Sequence, residues 1–180
     1  MNTASNSRRL AAVAALLMFA ASPGLAQDEP QVFDAFAAVE ANGTIVRAAE
    51  KRLMIVGTLA GRFYIETGEG PVDSGRVSCA ASARLDRASA RTTAHGACTV
   101  TTHDGATAWG EWQCDGYELV GCQGTFTLLG GTARFEGAAG ESRIIWRPTA
   151  HEFSRQLDGS TLDKAAGLLL WRDFKLAKAK

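Results

Sequence analysis

The residues of this 180-residue chain best suited to chemistry are four cysteines, three histidines and a few charged groups set among apolar ones. His95, His103 and His151 stand too far apart for an HxH or HExxH site, and no two-histidine, one-carboxylate spacing occurs, so neither a metal nor a cofactor is expected. There is no GxSxG elbow, Walker loop or dinucleotide fingerprint, because the glycine-rich stretches stand at turns instead of opening helices. Serine hydrolases and nucleotide enzymes are thereby set aside. Any acid–base chemistry would fall to Glu66, Glu111, His95 and Arg62 at the mouth of a cavity. Each of these lies on the polar parity of its segment, where a solvated, outward residue is the simpler assignment. The balance favours a binding protein over an enzyme.

Cys79, Cys98, Cys114 and Cys122 do not have zinc-finger spacing and read as two disulfides. Four cysteines allow three pairings, and the strand pattern selects one. From Val77 to Leu85 the odd positions are apolar, and from Thr92 to Thr102 the even ones are. If Leu85 opposes Thr92 across the loop Asp86 to Arg91, then Cys79 falls opposite Cys98, with β-carbons roughly 4.5–5.5 Å apart as a disulfide needs. Setting Cys114 opposite Cys122 puts Trp112 opposite Gly124 and Phe126 opposite Gly110, where a ring covers glycine backbone. Bridged sulfurs are not nucleophiles, so cysteine catalysis is also set aside.

Disulfides need an oxidising compartment, and the start of the chain reads as the route to one. Arg8 and Arg9 precede the apolar run Leu10 to Ala21, and Pro23-Gly24-Leu25-Ala26 ends in small residues, the pattern of an export signal over residues 1–26. A periplasmic or secreted location follows as the expectation. No later stretch has the length of a membrane span; the longest apolar run is Ala165 to Trp171. The whole chain balances 19 basic against 19 acidic residues, and losing Arg8 and Arg9 leaves a slight acid excess, which argues against a nucleic-acid surface.

The elements that must hold these residues read as strands. Leu53, Ile55, Gly57, Leu59, Gly61, Phe63 and Ile65 share one parity, a strand too long to stay flat, with glycines where it can bend. Turn signals recur at Gly68 to Pro71, Asp104-Gly105, Asp115-Gly116, Gly130-Gly131, Ala138 to Gly140 and Asp158-Gly159. A two-residue Asp104-Gly105 loop would set Cys98 against Glu111, so a three-residue loop or a bulge is required there. Helix is scarce. Phe33, Phe36, Ala37 and Glu40 have helical spacing within Val32 to Glu40, and Ser160-Thr161-Leu162-Asp163 resembles a capping box. Leu168, Leu170, Phe174 and Leu176 alternate with Leu169, Trp171 and Asp173 as a last strand. The fold class is all-β: one antiparallel barrel of eight strands with a short peripheral helix. An N-terminal segment over 27–43 would precede the barrel over 44–176, and a basic tail over 177–180 would follow it. Among the small inward residues, Ala81, Ala83, Ala94, Gly96, Gly110 and Gly124 either let strands close up or leave a cavity.

The run Gly130-Gly131-Thr132-Ala133-Arg134-Phe135-Glu136-Gly137-Ala138-Ala139-Gly140 resembles the GGTG[KR]FxGAxG hairpin of the allene oxide cyclase-like and dirigent-like β-barrels of the calycin group. The likeness extends to Gly57–Thr67 and Gly124–Thr127 and departs at Ala133, where the pattern usually has glycine. It implies a bacterial exported member with an eight-stranded barrel and an apolar lumen, which Phe63, Trp112, Phe126 and Phe135 would line. The function so implied is non-catalytic binding of an apolar small molecule, or a structural or partner-binding role. The alternatives are a cyclase or isomerase acting on a lipophilic substrate in the lumen, and a secreted inhibitor or adaptor acting through its loops. A second copy of the chain, in a homo-oligomer, is the protein partner such barrels suggest. Peptide mapping without reductant should return Cys79 joined to Cys98 and Cys114 joined to Cys122; Cys79 joined to Cys114 or Cys122 would overturn the strand register.

Overall fold

The computed structural model describes residues 31–155 and 161–178. The export signal over 1–26, the Asp158-Gly159 turn and Ser160 lie outside the described residues. Eight antiparallel strands follow one another: β1 (Gln31–Ala49), β2 (Arg52–Thr67), β3 (Gly70–Asp86), β4 (Arg91–Thr102), β5 (Thr107–Tyr117), β6 (Gly121–Gly131), β7 (Ala138–Arg155) and β8 (Thr161–Lys178). Each pairs with its neighbours in sequence, and β8 pairs back to β1, so the sheet closes into a barrel. In β3, Val77, Cys79 and Leu85 are buried while Arg76, Ser78 and Arg84 face out. Apolar inside and polar outside is the inverse of the lipid-facing band of a membrane barrel. No helix among the described residues is long and apolar enough to cross a membrane.

Cys79 pairs directly with Cys98 and Leu85 with Thr92, the register that the alternation predicts, and the first disulfide forms there with Cα atoms 4.0 Å apart. The β4–β5 connection resolves its parity conflict with a three-residue loop: Thr102 N–H donates to Ala106 O at 2.9 Å around His103, Asp104 and Gly105. Cys98 therefore faces Gly110. Cys114 and Cys122 are also bridged, but the register around them is two residues from the expected one. Gly116 faces Cys122, Cys114 faces Gly124, and Trp112 faces Phe126. Two glycines account for the shift. Gly121 closes the hairpin at φ +107, and at Gly116 a β-carbon would lie 2.5 Å from Cys122 Cα, so only glycine fits opposite that cysteine. Phe126 still covers Gly110, now from a diagonal position.

The short peripheral helix is not formed; the one helical element among the described residues is a 3-10 turn, Ala133–Phe135. Val32 to Glu40 lies in β1, so the barrel includes residues 31–43, which the sequence pattern sets apart as a leading segment. Ala35, Ala37 and Val39 are buried, and the strand is paired along both edges, to β2 and to β8. Two ladders outweigh the local helical spacing. Thr161 to Asp163 likewise open β8 instead of a helix, and Ala177 and Lys178 of the expected tail continue it, paired with Ala139 and Ala138.

One end of the barrel is plugged by aromatic rings. Trp171 stands edge-on to Phe63 at 5.4 Å and to Phe126 at 6.0 Å, and Phe33 stacks on Phe174 at 5.0 Å. Simple alternation would turn Phe174 away from Trp171's side of the sheet. A bulge at Arg172–Asp173 restores it to the interior, with Asp173 at φ +54. Asp34 of β1 holds the bulge by accepting the Asp173 N–H at 2.9 Å and the Arg172 guanidinium. Burial pushes the Asp34 carboxyl up, but these donors outweigh it and set its pKa below the ordinary value.

A second carboxylate fastens the loops over the plug. Asp73, with only 6% of its side chain exposed, accepts from His103 Nδ1 at 2.7 Å and from Arg134, which also reaches Asp104 at 3.4 Å. β3, the β4–β5 loop and the 3-10 turn are thus tied together, and Phe135 is drawn against the core. Burial raises the Asp73 pKa, and donation by His103, Arg134 and the Ser74 N–H more than reverses this, holding it below the usual 3.8. A carboxyl that releases its proton more readily when folded stabilises the fold above that value and loses its effect as pH falls through the lowered one. Asp73→Asn should lower stability by about 1 kcal/mol at pH 7, a small figure because His103 and Arg134 are solvated. In urea titrations the gap between wild type and this variant should close on acidification below pH ~4; a gap independent of pH would refute the fastening. Ala133 sits at φ +52, where the resembling hairpins usually carry glycine, so Ala133→Gly should raise stability by roughly 1 kcal/mol in the same titration.

Candidate functional site: an apolar cup at the open end of the barrel

The end opposite the plug is hollow. A cavity of about 160 Å³ opens there, while only about 50 Å³ remains among the rings of the plug. Leu59, Trp112 and Leu169, all buried, form the floor of this cup, and Ile55, Ala81, Ala83, Ala94 and Trp146 are in its wall. The polar residues that line it include Asn42, Thr92, Glu118 and His151.

The cup exists because small inward residues are of two kinds. At Gly96, Gly110 and Gly124 the neighbouring strand comes so close that an added β-carbon would lie 2.2, 2.4 and 1.9 Å from a backbone oxygen, so these positions leave no space. The Trp112 ring lies over Gly96 and the Trp146 ring over Gly167 in the same manner. Ala81, Ala83 and Ala94 instead line the cavity, and the volume their short side chains leave is part of the cup. Alternation specifies which residues point inward, but their depth along the barrel axis depends on register and bulges, which explains why the sequence leaves this choice open.

Of the four residues expected to line the lumen, Trp112 reaches the cup. Phe63 and Phe126 are plug residues, and Phe135 packs partly buried beside them. Trp146, Leu169 and Ile55 also line the cup, though none was among the four residues expected to line the lumen; for Ile55 its place on the apolar parity of its strand was the available signal. The Trp112 indole N–H is buried without a hydrogen-bond partner among the described residues. His95 and Glu111 share a shallow depression on the outer face of β4, β5 and β6 with Gln113 and Thr125. Arg62 is on the outer face of β2, directly opposite Arg76, and Glu66 pairs with Asp34 and Pro71 near the plugged end. None of these four borders the cup. Among the described residues no three His, Cys, Asp or Glu side chains converge as metal ligands would.

The cup is therefore apolar at its floor and polar only in a few lining groups, an arrangement that can hold a small lipophilic molecule by excluding water from it. No family model matches the chain, and no curated protein does. Among solved structures, the chain is similar to the pterocarpan synthase dirigent protein GePTS1, at 11% identity over 82% of this chain and 88% of that one, with a TM-score of 0.29.

Proposed function

We propose that the protein is exported and binds an apolar small molecule in the cup without chemically changing it. The observation that carries this reading is the cup itself: a cavity of about 160 Å³ walled by Ile55, Ala83, Ala94 and Trp146, with no ionisable group at its floor. Cavities near this size that are lined by apolar side chains stay dry and take up single-ring molecules, which sets the ligand at about one ring or a short branched chain. Of the groups a cyclase or isomerase could use as acid or base, Glu111, His95, Glu66 and Arg62 lie outside the cup, and Glu118 and His151 line it without belonging to its apolar floor. Both disulfides support export, since such bridges persist in oxidising compartments.

Two measurements test the two parts. Intact mass of the protein recovered from expressing cells should show a chain beginning at Gln27 with four cysteine hydrogens missing; an unprocessed chain would contradict export. Titration with p-xylene, followed by tryptophan fluorescence, should saturate at one equivalent, because Trp112 and Trp146 line the cup. Ala94→Phe fills the space and should weaken binding at least tenfold while the circular dichroism spectrum is retained. Equal binding by this variant would place the ligand elsewhere.

A further inference from the structure

The loops around the cup differ in charge from those around the plug. The β1–β2 and β3–β4 hairpins carry Arg47, Lys51, Arg52, Arg84, Arg87 and Arg91 against Glu50 and Asp86. None of these six cations makes an ion pair among the described residues. Of the other two hairpins at this end, β5–β6 adds Asp115 and Glu118, and the described part of β7–β8 adds Arg147, Glu152 and Lys164. At the plugged end the balance reverses: Asp34, Glu66, Glu69, Asp73, Asp104, Glu136, Glu141 and Asp173 stand against Arg134, Arg143, Arg172 and Lys175, with His103 beside them. Among the described residues the cup end therefore carries eight arginine and lysine side chains against five carboxylates, and the plugged end eight carboxylates against four such cations.

An apolar tip projects from the basic end. In the β5–β6 hairpin Tyr117, Leu119 and Val120 are 51, 68 and 59% exposed. Tyr117 and Leu119 also border the cup, so the tip is continuous with its rim. Leu119 is held at φ +63, a conformation that glycine or asparagine adopts far more readily, and the fold accepts that strain with a leucine in the exposed place. The Arg91 guanidinium lies 5.9 Å from the centre of the Tyr117 ring, and Arg147 donates to Val120 O at 3.4 Å. An exposed leucine–valine tip beside an aromatic ring and a set of arginines without ion-pair partners matches the layers of an anionic bilayer surface: acyl chains, glycerol region and phosphates.

We propose that the cup end docks on anionic lipid bilayers, with Leu119 and Val120 entering the interfacial region and the hairpin arginines facing the phosphates. The cup mouth would then face the lipid, where apolar small molecules partition. The docking rests on the tip and the charges, not on the cup being occupied, so it can fail without affecting the proposed binding, and the reverse.

The test uses vesicles of phosphatidylcholine alone or with one-third phosphatidylglycerol, and protein whose N-terminus has been read by mass spectrometry. Co-sedimentation is expected with the anionic vesicles only, and it should disappear at high salt. Leu119→Ser with Val120→Ser, and separately Arg52→Gln with Arg87→Gln, should each lower the partition coefficient about tenfold or more without moving the thermal midpoint of these exposed sites. Leu119→Trp gives a readout at the tip itself: its added fluorescence should be quenched by brominated lipid. Equal binding to neutral vesicles, unchanged binding by the serine variant, or an unquenched signal from the introduced indole would each overturn the proposal. So would a wild-type dimer that the serine variant converts to monomer without vesicle binding, since a second copy would then cover the tip.

Discussion

Trp171 meets Phe63 and Phe126 edge-on, at 5.4 and 6.0 Å, and this three-ring contact ties together strands that share no ladder. β2, β6 and β8 are held across the lumen by these rings, whereas every hydrogen-bonded pairing runs around the wall. An eight-stranded ring has an interior just wide enough for side chains to fill. The rings fill one end of it, and small residues leave the other empty. The bulge at Asp173 is the local adjustment that lets Trp171 and Phe174 both point inward, and the backbone N–H it takes out of the ladder is satisfied by Asp34. The hollow end is therefore a consequence of how the plug is built: aromatic bulk is placed at one depth and alanine at the other.

The parts of this fold that could be read from sequence are those set by local alternation. The period-two pattern of Val77 to Leu85 against Thr92 to Thr102 fixes the Cys79–Cys98 register, because one face must be buried and a one-residue slip would invert it. The Cys114–Cys122 register is less accessible, because a slip by two preserves parity. Only the backbone demands of Gly116 and Gly121 separate the two possibilities. Val32 to Glu40 misleads for another reason. Its alanines suit helix and strand alike, and the two ladders that decide the matter come from β2 and from β8, the latter more than a hundred residues away in sequence. The candidate site was partly legible. Trp112 was singled out as a lumen residue, but Phe63 and Phe126 share its inward parity at another depth and Phe135 stands in the 3-10 turn outside any strand, and depth cannot be counted from parity.

The polar groups follow the same division. Glu111, His95 and Arg62 occupy the outward parity of their strands and remain there, so the ionisable groups that line the cup are others, Glu118 and His151 among them, around a floor of apolar side chains. Asp73 and Asp34 are carboxylates whose donors outweigh burial and depress their pKa, and both serve the plugged end, one fastening loops and the other holding a bulge. Perturbed titration here marks structure, not catalysis. The hairpin cations at the cup end have no ion-pair partner among the described residues, and they suit a surface instead of a buried site.

The closing ladder has a kinetic meaning of its own. Seven of the eight pairings join strands adjacent in sequence, so they form as hairpins with short loops to close. The β1–β8 ladder, running from Gln31 against Leu176 to Ile45 against Thr161, must bring together segments separated by nearly the whole described chain. Loop-closure entropy rises only slowly with length, but a ring cannot close until its curvature has developed across all the other strands. Until that step β1 and β8 are unpaired edges, and the apolar faces of Ala37, Leu169 and Trp171 are uncovered. A chain with these seven ladders formed and the eighth still open would be the state most exposed to association with another chain, because it presents two strand edges beside uncovered plug aromatics.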